Sequence, residues 1–427
     1  MTQTYINKYF YALFLFTLTF GVLLYNFIVD NTGFDYTDEI CALCLFLLFF
    51  TYLFRTKDWE INKAFLVTLG VFVFYLCYSL YIHSNAPAGI LNDLFIQTKP
   101  YLAFFCVYSI APRFDRHQKE VLKSVSLILW SVLFAVGVLD LFYPGMIWLL
   151  MSHETFYAAA VTITSLCYLY CSRFTALEKM TFLLLLSVGI LSGRSKFYGF
   201  YALSVFMMLF FSDGRHFKWN IRNILIIACM FAAVVLVAWD KITFYFYQAV
   251  TGEVEEDMIA RYVLYVTSPE ILRDYFPFGS GLASYATYSS GVYYSHIYGD
   301  YGIDGVWGIT KGYYSFIADA YYPSLAQFGV AGILLCLLFW FYVCRRAFYF
   351  YKKTGDLHMV IIIALIMGFL GIDGTTDSTF ISNRGFFVMM LLGLVVSQMK
   401  SQHQEMKHKP EHEPEEVNTE HESIANQ

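Results

Sequence analysis

Twelve apolar runs, most of them near the length of a bilayer crossing, constrain this chain more than any other feature. They fall near residues 9–29, 40–54, 64–82, 94–112, 124–142, 155–171, 180–192, 196–212, 223–239, 322–344, 358–372 and 379–398. About 20 apolar residues in a helix cross a hydrocarbon core, and helices and closed barrels alone satisfy their backbone there. With 58% hydrophobic and 14% charged residues among 427, the composition lies outside that of soluble domains. The expectation is an all-α polytopic membrane protein with about twelve transmembrane helices. The runs at 180–192 and 358–372 are short, so those helices should be tilted, broken or buried in protein. The first run is too long for a signal-peptide core and lacks a small-residue cleavage site, so it should remain as the first span.

The runs are interrupted once, by a polar stretch from 240 to 321. The chain therefore divides into nine spans over 1–239, a loop over 240–321, three spans over 322–398 and a polar tail over 399–427. The loop is too long and irregular to lie in hydrocarbon, so it should sit in water or cap a cavity. The tail is rich in Glu and His, carries Pro410 and Pro414, and reads as disordered. It holds four of the ten histidines, for which solvation is the simpler reading than metal binding. No internal repeat is evident, and nothing points to a nucleic-acid partner.

Basic residues set the expected orientation. With the N-terminus in the cytoplasm, 20 of the 28 Lys and Arg residues fall on that side, at every predicted cytoplasmic turn. Both termini are then cytoplasmic and the long loop is outside, which is periplasmic in a Gram-negative cell. The eight exceptions are Lys99, Arg194, Lys196, Lys241, Arg261, Arg273, Lys311 and Arg384. Lys99, Arg194 and Arg384 sit near the outer ends of spans, where each alone could reach the headgroups. Together with Arg261 and Arg273 in the loop, they point to an anionic ligand.

Local patterns sharpen this. Gly193-Arg194-Ser195-Lys196 is a short turn that opens a helix, an end suited to anions. An arginine there can grip a phosphate with two parallel hydrogen bonds. Arg261 begins a predicted helix running to about Asp274, although Glu255, Glu256 and Asp257 offer it structural partners as well. The turn from Pro277 to Gly281 places Gly279 and Gly281 where backbone geometry demands them. His296, Asp300, Asp304 and Asp319 are the outer candidates for a general base. His296 has the suitable intrinsic pKa, and Asp319 needs raising by burial. The loop tyrosines suit an interfacial belt or a sugar-binding surface. All nine cysteines lie in or beside apolar runs without metal spacing, so neither a disulfide framework nor a cysteine metal site is expected. The acidic stretch from Asp30 to Glu39 reads as a solvated loop, though it also resembles the first-loop motif of metal-dependent lipid-sugar transferases.

Taken together, the pattern resembles the O-antigen polymerase and O-antigen ligase family of bacterial envelope glycosyltransferases. The resemblance spans roughly residues 60–400 and rests on the twelve-span plan with one long outer loop between the ninth and tenth spans. Three short motifs add to it: Ser192 to Lys196, Arg261 through Gly281, and Ala318 to Pro323 with Gly329 and Gly332. Where ligases carry a histidine before the re-entry glycine, this chain has Ala318 beside Asp319, which favours a polymerase.

The resemblance implies a glycosyltransferase C-like fold, inverting chemistry, and neither metal nor other cofactor. It implies a polyprenyl-pyrophosphate-linked oligosaccharide as substrate, joined into O-antigen or capsular polysaccharide at the bacterial inner membrane. A chain-length regulator and a flippase are the implied partners. Arg194 and Arg261 are the expected pyrophosphate ligands, with Arg273, Lys99 and Arg384 as helpers, and Asp319 or His296 is the expected base. A ligase, a metal-dependent lipid-sugar transferase and a lipid-oligosaccharide flippase are the rival readings.

Overall fold

The computed structural model describes residues 3–24, 37–54, 63–211, 221 and 256–408. The ninth apolar run, most of the acidic first loop and the tail from 409 lie outside these residues. Each of the other eleven runs overlies helix, and the described residues contain no strand.

The first helix, α1 (Gln3–Phe16), continues as a π-helix over Thr17–Leu24. It is followed by α2 (Thr37–Leu53), α3 (Lys63–Tyr81), α4 (Pro87–Ile110) and α5 (Arg116–Phe142). Next come α6 (Glu154–Cys171), α7 (Ala176–Ser187) and α8 (Ser195–Phe210), then α9 (Glu256–Asp274) within the polar stretch. The chain ends in α10 (Gly329–Thr354), α11 (Leu357–Asp373) and α12 (Asn383–His408). The segments Gln3–Leu24, Lys63–Tyr81, Arg116–Phe142, Tyr321–Thr354 and Asn383–Met406 are long and apolar enough to cross a membrane. This is the build of a membrane protein, and α3, α5 and α10 expose aliphatic side chains such as Val67, Leu141 and Leu338.

Polar caps end the helices where apolar runs alone leave the boundaries loose. Asp115 with Gln118 and Thr175 with Glu178 form capping boxes that start α5 and α7. The short seventh run is broken: α7 gives way to a tighter turn of helix over Val188–Ser192. α11, the other short run, has its Ile361, Ile362, Leu365 and Ile366 buried. α12 occupies the middle of the bundle, buried all round from Phe386 to Val396. Its Gly393 lets the backbone of α4 approach, since a Cβ there would fall 2.7 Å from the Phe104 carbonyl oxygen.

α12 also corrects one expectation, because residues 401–408 of the polar tail continue it as helix. Buried His403 packs against Tyr349 and Phe350, and Gln402 donates to Asp356 at 3.1 Å. The segment therefore has apolar and polar partners that its own composition does not announce.

From residue 256 on, the polar stretch is a folded body with a small core of its own, including Ala260, Leu264, Ile271, Tyr285, Tyr298 and Ile317. Its tyrosines divide accordingly: Tyr285 and Tyr298 are fully buried, whereas Tyr288, Tyr293, Tyr313 and Tyr314 are exposed. The body is pinned to one end of the bundle by hydrogen bonds to its backbone and by one from its Tyr265 side chain. Asp93 of α4 accepts from the Ala283 N–H at 2.8 Å, and Ser84 donates to the Leu282 carbonyl at 2.8 Å. Tyr78 donates to the Gly279 carbonyl at 2.8 Å, and Tyr265 of α9 donates to the Thr375 carbonyl at 2.7 Å. Gly279 and Gly329 meet backbone to backbone, both at positive φ (79° and 65°).

Candidate functional site

Under this body, at the ends of α6, α8, α11 and α12, lies a cavity of about 910 Å³. Three of the helices present their N-terminal ends and α11 its C-terminal end, so polar turns rather than apolar helix faces meet there. Arg194, Lys196, Arg261 and Arg384 all line it, as do His153, Asp319 and Asp377.

Each cation is held by a carboxylate. Gly193 (φ 63°) ends the turn before α8 in the left-handed conformation and leaves Arg194 at the helix cap. The Arg194 guanidinium donates to Glu154 and lies 3.1 Å from Nε2 of His153. Lys196, two residues on, sits 2.7 Å from Asp373 and 3.5 Å from Asp377. Arg384 reaches both oxygens of Asp377 at 3.4 Å, and its guanidinium stands 4.2 Å over the ring of Phe156. Arg261, near the start of α9, pairs with Asp319. Among the described residues, four cations thus face four carboxylates (Glu154, Asp319, Asp373 and Asp377).

Burial shapes the titrating groups that lie between helices. It pushes the Asp319 carboxyl above the usual range, and Arg261 offsets only part of that rise. Burial also works to raise Asp377, but Arg384 and Lys196 outweigh it and hold that carboxyl low. Burial and the charge of Arg194 both depress His153.

Three expected site residues are not brought here. Lys99 lies buried in α4, where its ammonium pairs with Asp38 and, at 3.0 Å, with Glu39. An ammonium inside a bundle needs such partners, and the first residues of α2 supply them. Arg273 is twelve residues beyond Arg261, about 18 Å further along the same helix and about a third of a turn round it. It points into solvent and bonds its neighbour Asp274 at 2.9 Å. His296 is more than half exposed and faces Asp300 at 3.7 Å. Both stand on the solvent side of the loop body, where no burial concentrates their charge.

Conversely, sequence reasoning passed over His153, Glu154, Asp373 and Asp377. His153 lies 41 residues before Arg194, and no local motif joins them. The available signal was polar residues at the predicted outer ends of spans 6, 11 and 12, the rule applied to the cations but not to the acids.

The fold and site define an all-α chain suited to a membrane, with a charged cavity where a folded polar body meets the ends of its helices. No protein-family model matches the chain, and no match is found among curated proteins.

Proposed function

We propose that this protein is a membrane glycosyltransferase of the polymerase type. In this reading it joins polyprenyl-pyrophosphate-linked repeat units into O-antigen or capsular polysaccharide on the periplasmic face of the bacterial inner membrane. The observation that carries the reading is the convergence of Arg194, Arg261, Arg384 and Lys196 on one cavity at the helix ends. Preorganised cations stabilise a transition state where charge develops, here on a departing pyrophosphate. The twelve-span, glycosyltransferase C-like plan with cytoplasmic termini belongs to the same proposal.

An apolar groove of about 280 Å³ between α3, α4 and α10 supports it, lined by Phe72, Tyr101 and Phe339 among others. Tyr321 also lines that groove, two residues from Asp319 in the charged cavity, so a lipid tail and its diphosphate can be held side by side. In the proposed reaction the acceptor sugar's hydroxyl oxygen attacks the anomeric carbon of the donor. The bond from that carbon to the phosphate oxygen breaks, and the polyprenyl pyrophosphate leaves on the arginines. Asp319 takes the hydroxyl proton. Its raised affinity for protons suits a base, and a phosphate that draws Arg261 away frees its oxygen for the task.

Two experiments test this reading. Loss of the gene should leave surface glycan capped with single repeat units. Accumulated lipid-linked polymer with none on the core would mean a ligase, and single units trapped inside would mean a flippase. For orientation, cysteines placed at exposed Lys311 and exposed Ala176 in a cysteine-free background should label from outside and inside respectively. Labelling of Lys311→Cys only after the membrane is opened would reverse the topology and overturn the site's placement.

A further inference from the structure

We infer that His153, as a neutral imidazole, joins Arg194 in a two-donor pocket for one phosphoryl oxygen of the diphosphate. The inference rests on the diphosphate reading of the cavity and adds a ligand that the arginine pattern does not contain.

The argument begins with the tautomer. His153 caps α6, and its Nδ1 accepts the backbone N–H of Thr155 at 3.2 Å. We assign the ring the tautomer that keeps this cap: a nitrogen that accepts carries no proton, so the neutral ring's proton is placed on Nε2. Burial and the neighbouring Arg194 keep the ring in that neutral form. Nε2 lies 3.1 Å from a terminal nitrogen of Arg194, which also bears only donors. Two donors facing each other at hydrogen-bond distance call for an acceptor between them. Glu154 serves Arg194, but its nearer oxygen stays 4.0 Å from Nε2, beyond hydrogen-bond reach. A phosphoryl oxygen entering from the cavity side can accept from both groups at once and displace Glu154 from Arg194. The other charges facing this spot are Asp377, which pairs with Lys196 and Arg384, and Lys196, which also pairs with Asp373.

The pocket therefore selects an anion with an accessible tetrahedral oxygen. Because the imidazole is neutral when it donates, binding should not weaken as pH rises through neutrality. An imidazolium ligand would be lost over the same rise.

The test uses the full chain in detergent and dimethyl diphosphate, a diester whose two charges do not titrate near neutrality, with calorimetry as readout. His153→Thr keeps an oxygen to cap α6, adds no charge and removes the imidazole N–H that reaches the Arg194 guanidinium. Its affinity should fall about tenfold to a hundredfold, the range for a hydrogen bond to a charged group, with thermal unfolding unchanged. His153→Gln, whose amide can reach the same spot, should recover most of the binding. Wild-type affinity should hold between about pH 6 and about pH 8. Undiminished binding in His153→Thr overturns the inference, and so does wild-type affinity that falls steadily across that pH range. If wild-type protein binds no diphosphate, the reading of the cavity itself fails, and this inference with it.

Discussion

Arg194→Lys should lose polymer formation almost as completely as Arg194→Ala. The side chain stands at the cap of α8, on the cavity wall, with its guanidinium donating to Glu154 and 3.1 Å from Nε2 of His153. A lysine in its place keeps the charge and can still pair with Glu154. It has no planar fork with which to serve two oxygens in parallel. If the fork grips the leaving pyrophosphate, its loss costs on the order of 2–4 kcal/mol in the transition state, roughly a hundredfold or more in rate. A merely structural ion pair behaves otherwise. Half-exposed pairs contribute about 1 kcal/mol or less to stability, so lysine would be nearly neutral. Polymer length on gels, read beside membrane abundance of both variants, separates the cases. Long polymer from Arg194→Lys, or activity that merely tracks protein level, would move the site elsewhere.

Gly279→Ala should undock the loop body from the bundle. The residue has φ of 79°, which alone costs a side chain roughly 1–2 kcal/mol. More decisive is the space: a Cβ at 279 would fall 2.2 Å from the Gly329 nitrogen and 2.5 Å from the Ala326 and Gln327 carbonyl oxygens. All three are backbone atoms, so no side-chain rotation relieves the overlap. The Gly281 N–H, which donates to the Gln327 carbonyl at 2.9 Å, and the Ala331 N–H, which donates to the Pro277 carbonyl at 3.0 Å, would be pulled apart together. Thermal unfolding in detergent should drop sharply, and a protease should gain access to residues 277–287. Gly312→Ala, with open space around it, is the control and should behave as wild type. Equal behaviour of the two variants would show that the close contact does not hold the loop.

The helices themselves were legible because hydropathy is a local property: a run of apolar residues has nowhere to satisfy its backbone except in a helix. The loop helix, read from Arg261 to about Asp274 and found over Glu256–Asp274, and the backbone role of Gly279 and Gly281 were legible for the same reason, since turns and positive φ are set by adjacent residues. Arg194, Arg261, Arg384 and Asp319 could be singled out because charge at the outer ends of apolar runs is conspicuous. What each of them faces was not legible. Lys99 and Arg384 look alike as cations near span ends, yet one finds Asp38 and Glu39 and the other finds Asp377 beside the cavity. Arg261 and Arg273 share one helix, and only the packing of α9 against the bundle decides which of them turns inward. His153 meets Arg194 across 41 residues of chain because α6 and α8 end at the same level. The sequence by itself determined which segments are helical, where they break and which cations are candidates, all of them nearest-neighbour matters. Tertiary structure alone decided which charges meet, because hydrogen bonds and ion pairs form between atoms a few ångströms apart in space, however far apart they lie along the chain.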